Sequence, residues 1–228
     1  MTIRQQLSDQ LTADRERIIE LVQELIRIPS ENPPGDTTEL CARVVDYLGK
    51  NGADYEVVAP EPMMPNIIVH VDGNGPGKHL VLNGHLDVFP GDAKAWTDDP
   101  FSGSIRDGKL YGRGANDAKA GTAASILAFL YLSERREAWN GKLTLTIVSD
   151  EETFGPYGAR HLVEHRPDVL GDALLSGEPS TPYFVRYAEK GPLWIELRSR
   201  LREATAATRR SARTRSSSPA MSCEISRR

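Results

Sequence analysis

The run TLTIVSDEETFG, residues 144–155, constrains this chain more than any other stretch. It begins apolar and β-branched, as a strand does, and then carries three consecutive acids, Asp150, Glu151 and Glu152. Two carboxylates about 4 Å apart repel by about 4 kcal/mol at an effective dielectric of about 20. A fold tolerates that at a strand end only with water, a cation or a metal nearby. An isolated acidic triplet is ordinarily a solvated turn, so the remaining sequence has to discriminate between the two outcomes.

The surrounding pattern is that of a layered α/β protein. Residues 3–28 place Leu7, Leu11, Ile18, Ile19, Val22, Leu25 and Ile26 at helical spacing, and PSENPPGD stops that helix. Thr37 or Thr38 can cap a second helix running to Leu48. DYEVV, NIIVHV and HLVLNGHLDV read as strands, residues 118–133 as a helix, KLTLTIVSD as a strand, 159–164 as a helix and ALLSGEPS as a short strand end. Strands alternating with helices imply a mostly parallel sheet sandwiched by helices. Functional groups in such sheets collect beyond the carboxyl ends of the strands.

Metal-type ligands sit at those ends. HLVLNGHLDV carries His85 and Asp87, TIVSDEE carries Glu151 and Glu152, and ALLSGEPS carries Glu178. Asp117 lies in the glycine-punctuated turn YGRGANDAKAG before a helix. Residues two apart in a strand share a face. His85 and Asp87 therefore point the same way, and Asp87 can accept the imidazole's second N–H. One imidazole among several carboxylates suits Zn²⁺, Mn²⁺ or Co²⁺. Of Glu151 and Glu152, one can ligate metal while the other works on bound water. His70, His79, His161 and His165 are expected to be structural or at the surface. Lys119 and Arg113 are expected in local ion pairs, Asp98 and Asp99 in the turn before Pro100, and Asp150 in holding its own turn.

The segments NGHLDVFPGD, WTDDPFSGSIRDGKLYGRGANDAKAG, SDEETFGPYGAR and SGEPS, with the opening ELIRIPSENPPGD, occur in an order that resembles one family. It is the zinc-dependent deacylases and peptidases that include acetylornithine deacetylase, succinyl-diaminopimelate desuccinylase, aminoacylase and carboxypeptidase G. The resemblance covers roughly residues 15–200. It implies two divalent metal ions, zinc by preference with cobalt or manganese as alternatives. It assigns His85 and Glu178 to one metal, Asp117 to both as a bridge, and Glu152 to the other. Glu151 becomes the general base, Asp87 the support of His85, and the Asp117–Ala118 peptide cis. The implied reaction is hydrolysis of an amide bond in N-acyl amino acids or small peptides.

Composition bounds the rest. The 228 residues are 39% hydrophobic and 26% charged, enough for a substantial core, and the formal charge of −4 points to no nucleic-acid partner. Two cysteines, Cys41 and Cys223, are too few for a disulfide framework. No apolar run reaches the ~18 residues of a membrane span, and a cytoplasmic location is expected. Residues 201–228 hold seven arginines, no lysine and two glutamates, unlike the acidic body before them. The expected organisation is the N-terminal part of a catalytic domain over 1–186, the first strand of a lid and dimerisation domain over 187–200, and a disordered or out-of-frame tail over 201–228. Thr205 stands where the family pattern has a lid histidine, so the fold is expected to be incomplete. Three functions remain open at this point: a metal-dependent amidohydrolase, a catalytically dead metal-binding fragment of one, and a metal-dependent phosphohydrolase.

Overall fold

The computed structural model describes residues 2–179, 183 and 185–187. The chain divides into two units, Met1–Thr181 and Pro182–Arg228, and the elements and site below all belong to the first. The expectations for residues 188–200 and for the tail 201–228 lie outside the described residues.

The N-terminal amphipathic stretch is two helices, α1 (Ile3–Ala13) and α2 (Arg15–Arg27), where the apolar spacing predicts one. The break falls at Asp14, whose carboxylate accepts the Tyr131 hydroxyl at 2.7 Å. α2 buries Leu21, Val22, Leu25 and Ile26 along one stripe, whereas α1 buries no residue. In α3 (Thr38–Lys50), capping comes from Asp36, whose carboxylate accepts from the Thr38 amide at 3.0 Å. The Thr37 hydroxyl is engaged elsewhere, 2.7 Å from that of Ser149.

Five strands form one sheet. They are β1 (Tyr55–Val58), β2 (Asn66–Asp72), β3 (His79–His85), β6 (Lys142–Val148) and β7 (Ala173–Ser176), in the order β1-β2-β6-β3-β7. β2 runs antiparallel to both neighbours, and the other strands share one direction. The expected mostly parallel α/β sheet is thus present as a mixed sheet with one reversed strand. β6 is central, and Leu143 to Val148 are all buried. Each aliphatic side chain buried in this way contributes about 1.5–3 kcal/mol. Helices cover both faces. Ile67, Val69, Leu82, Leu143, Leu145 and Ile147 pack against α2, α3 and α4 (Ala120–Ser133). On the other face, Ile68 and Val148 meet Val169 and Leu162 of α5 (Ala159–His165).

A two-stranded hairpin, β4 (Ser104–Arg106) with β5 (Lys109–Tyr111), is absent from the sequence reading. Its turn residues Asp107 and Gly108 have φ of 50° and 71°. An Asp-Gly pair between short strands is the ordinary signal for that turn.

Register decides where the chemistry lies. His85 stands opposite Val148 in the parallel pair β3–β6, and Asn83 opposite Ser176 in β3–β7. The carboxyl ends of three adjacent strands therefore share one edge of the sheet, with His85, the acidic triplet and Glu178 at or just beyond it. The start of α4 is pressed onto the same edge. A Cβ added at Gly121 would fall 1.8 Å from the Gly177 carbonyl oxygen. Gly121→Ala should therefore force two backbones apart and lower stability by about 1–3 kcal/mol. Urea unfolding measures this, and an unchanged midpoint would contradict so close an approach.

Candidate metal centre

His85, 1% exposed, is the hub of the site. Its Nε2 lies 3.2 Å from Asp117 Oδ1, 3.4 Å from Glu178 Oε1 and 3.9 Å from Glu151 Oε2. Its Nδ1 is 2.9 Å from the Asp87 backbone carbonyl oxygen and 3.6 Å from that residue's carboxylate. The second ring nitrogen is thus served by the main chain of Asp87 more closely than by its side chain, where the sequence reading expected the side chain. A carbonyl oxygen only accepts, so Nδ1 carries the proton and Nε2 faces the acids.

The Asp87 carboxylate has a different task. It is wholly buried and accepts from the successive backbone amides of Glu151 and Glu152, at 3.2 and 3.1 Å, and from Asn32 Nδ2 at 2.8 Å. Burial would raise its carboxyl, but the neighbouring His85 ring and the Asn32 hydrogen bond hold it below the usual range. One carboxylate therefore clamps the acidic turn beside the β3 terminus. Asp150 shapes the same turn, as expected. Its φ is 62°, and it accepts from the Thr153 hydroxyl at 2.5 Å and the Tyr157 amide at 3.1 Å. Glu151 and Glu152 take different neighbours. Glu151 faces His85, while Glu152 Oε1 accepts from the Phe89 amide at 2.8 Å.

The charges report crowding. Burial alone would lower the His85 imidazole, but Asp117, Asp87 and Glu178 override it and raise it to about 11. Burial pushes the Glu151 carboxyl up to about 7; the charges of Glu178, Glu152 and Asp87 add to that and His85 opposes it. Glu152 is raised as well, first by burial and then by the nearby Asp117 charge. The cluster demands positive charge, and the raised imidazole is the group placed to supply it.

One ligand atom each from His85, Asp117 and Glu178 lies within 4.8 Å of the other two. A tetrahedral ion with bonds of about 2.0–2.2 Å sets its ligands about 3.3–3.6 Å apart. The 3.2 and 3.4 Å separations from His85 Nε2 already approach that spacing. The donor set fits a divalent cation. Asp117 sits in the irregular turn Ala115–Lys119, and its peptide to Ala118 is cis. Glu152 stands outside the three-residue group, close enough to Asp117 for their charges to interact.

Several residues at the site were invisible in the sequence as functional positions. Asn32, 3% exposed, sends Nδ2 to Asp87 and also to Asp150 at 3.3 Å. Ser30 donates to the Leu86 carbonyl at 2.7 Å and accepts, through its own carbonyl, from the Val88 amide at 2.9 Å. Both lie in ELIRIPSENPPGD, which reads as a helix stop and as part of the family-like opening, without a role for either residue. Lys119 forms no ion pair among the described residues. It is buried, its ammonium lowered to about 7 by that burial, and it donates to the Leu25 and Ile28 carbonyls. Arg113 likewise has no carboxylate partner among the described residues and lies over the Trp96 ring at 5.3 Å. Asp99 does turn its loop, accepting from the Phe101 amide at 2.9 Å. His70 and His79, expected as structural, flank the Thr144 hydroxyl at 2.8 and 2.7 Å.

A mixed α/β sheet carries, at its strand ends, a histidine and converging carboxylates that could hold a metal ion. A family profile for peptidase family M20/M25/M40 matches residues 81–219, and the chain belongs to that family. It is 39% identical over 171 residues to succinyl-diaminopimelate desuccinylase of Methylobacterium radiotolerans, covering 72% of this chain and 43% of that one. It is 33% identical over 178 residues to a probable succinyl-diaminopimelate desuccinylase of Staphylococcus epidermidis, covering 77% of this chain and 42% of that one. The fold is shared with an M20 family metallo-carboxypeptidase of Sulfolobus solfataricus at a TM-score of 0.62 and 22% identity, over 70% of this chain and 37% of that one. The chain thus spans less than half the length of these relatives.

Asn32 yields a direct test of the clamp. Asn32→Leu removes the neutral donor shared by two buried carboxylates and should destabilise the protein by about 1.5–3 kcal/mol, the range for hydrogen bonds to charged groups. Asn32→Asp should be worse, because it adds a third carboxylate between them. Denaturant unfolding of both variants checks the order; a tolerated Asn32→Asp would contradict it.

Proposed function

We propose that this chain carries the metal-holding part of a hydrolase that cleaves an amide bond in an N-acyl amino acid or small peptide. The observation that supports it most is the convergence of Asp117, Glu178 and Glu151 on His85 Nε2. In this reading His85 and Glu178 would hold one divalent ion, Glu152 would hold a second, and Asp117 would serve both. Zinc is the preferred ion. The desuccinylase relatives favour an N-succinyl amino acid as substrate.

When bound, the ions polarise the scissile carbonyl and acidify an attacking water. The chain's own residues supply the remainder. Glu151, its oxygen beside the hub, takes the water's proton and returns it to the leaving amine. Asp87 keeps Glu151 and Glu152 apart and in place through their amides. His85 stays oriented because its Nδ1–H is held by the Asp87 carbonyl.

One observation favours a second reading, a chain that binds metal without turnover. Among the described residues, the second metal position is offered only the carboxylates of Asp117 and Glu152. The two readings separate on amine release from N-succinyl and N-acetyl amino acids with added Zn²⁺ or Co²⁺.

Glu151→Gln should keep its metal content and lose at least ~10²-fold in turnover, the low end for general acid–base catalysis. Metal lost in parallel with activity would make Glu151 a ligand. Asp117→Ala should lose both ions together, while His85→Ala weakens mainly one. Elemental analysis that finds one ion retained in Asp117→Ala would overturn the bridging role.

A further inference from the structure

Asp117 presents a positioning problem. Its side chain is half exposed, and His85 is its one hydrogen-bond partner among the described residues. Asn116, beside it in the turn, makes no side-chain hydrogen bond among the described residues, and Ala118 has no group to make one. Asp117 and Ala118 both have non-helical backbone angles, with φ of −118° and −130°. Nothing local to the carboxylate therefore fixes where it points. The turn that carries it must be held from elsewhere.

Two contacts secure the helix after the turn. Thr122 donates to the His85 carbonyl at 2.9 Å, and Gly121 packs on the Gly177 backbone. These tie the first turn of α4 to the strand ends, and at the start of the turn before it the Ala115 amide donates to the Gly112 carbonyl at 3.1 Å. Lys119 adds a tie to a further element, α2. Its amide donates to the Gly114 carbonyl at 2.8 Å, bracing the turn across its base. Its Nζ donates to Leu25 O at 2.9 Å and Ile28 O at 2.7 Å, and the Phe101 ring lies 5.9 Å away. Those carbonyls are at the C-terminus of α2, where the helix dipole is negative; the Leu25 carbonyl also accepts from the Ile28 amide at 3.4 Å.

Burying an amine in this way is unfavourable unless its donors are used. An aliphatic side chain of the same length would fill the space without that cost. The gain from lysine is direction, because two hydrogen bonds to fixed carbonyls set the height and angle of the turn more narrowly than packing does. Two donors suffice, and the side chain has three as an ammonium and two as a neutral amine. The Ile28 carbonyl also opens the segment whose Ser30 grips Leu86 and Val88 on either side of Asp87. Lys119 and the β3 terminus are therefore referenced to the same piece of backbone.

We propose that Lys119 is the positioning residue that sets the Asp117 carboxylate against His85, using the carbonyls at the end of α2 as its fixed point. The proposal rests on the metal-centre reading above and adds the element that keeps the site in register. It gives α2 a role at the site although none of its side chains reaches it.

The test uses the 228-residue chain and Co²⁺ as the probe, with affinity read from the visible absorption of the bound ion. The parent protein is titrated first; failure to bind Co²⁺ there would sink the metal-centre reading itself, before any Lys119 variant is compared. Lys119→Met is expected to fold, with an apo unfolding midpoint close to the parent, and to bind Co²⁺ at least ~10-fold more weakly with an altered spectrum, as loss of a supporting partner does. In an Asp117→Glu background, which keeps a carboxylate but moves it by one methylene, Lys119→Met should make little further difference to Co²⁺ affinity, because its effect runs through the placement of residue 117. A folded Lys119→Met with parental affinity and spectrum overturns the proposal, and so does an equal additional loss in the Asp117→Glu background. Should Lys119→Met not fold, Lys119→Gln, which retains a donor, takes its place in the same cycle. Unfolding of both would make Lys119 a requirement of the fold and would equally overturn the positioning role.

Discussion

Repulsion among carboxylates is the constraint around which this molecule is organised. Asp117, Glu151 and Glu178 all face one imidazole nitrogen, and a fourth acid, Glu152, stands close by. At separations of about 4 Å each like pair costs about 4 kcal/mol at an effective dielectric of about 20. A marginally stable domain cannot hold several such pairs without a cation at their centre. His85, raised by those acids, is the group placed to meet that demand with a proton, and a divalent ion fits the same donors.

Holding the acids together requires rigid placement, and the sheet supplies most of it. β3, β6 and β7 run parallel in register, so their ends deliver His85, the acidic turn and Glu178 to one edge. Side-chain clamps then act on main chain. Asp87 grips two amides of the acidic turn, Asn32 links Asp87 to Asp150, and the Thr37 hydroxyl reaches Ser149 just past β6. Most of these partners come from the segment between α2 and α3. A stretch rich in proline and glycine thus serves as the strap that aligns strand ends far from it in sequence.

The features legible in the sequence are those set by short-range pattern. The acidic triplet behind an apolar run, the His-x-Asp pair and the Gly-Glu after the last strand each report a strand end, and the sheet brings those ends together. Asp36 rather than Thr37 caps α3 because tertiary structure offers Thr37 a better partner in Ser149. The break at Asp14 is hidden because the apolar spacing continues through it, and its hydroxyl partner Tyr131 lies 117 residues away. The β4–β5 hairpin was legible in its Asp-Gly turn, but strands of three residues are too short for periodicity to mark. Lys119 shows the deeper limit. A lysine in a glycine-rich turn suggests a surface ion pair, and only the approach of α2 turns it into a buried donor to carbonyls.

If positive charge at His85 Nε2 holds the acids at the strand ends, that charge is a proton in the metal-free protein and a cation otherwise. Nitrogen-15 NMR of the histidine rings reads this directly. In metal-free protein at pH 8, His85 should carry protons on both nitrogens while a histidine titrating at its ordinary value is neutral. Added Zn²⁺ should remove the Nε2 proton and give that nitrogen the shift of a metal-bound ring, with Nδ1 still protonated. A neutral His85 at pH 8 that Zn²⁺ leaves unchanged would contradict the account.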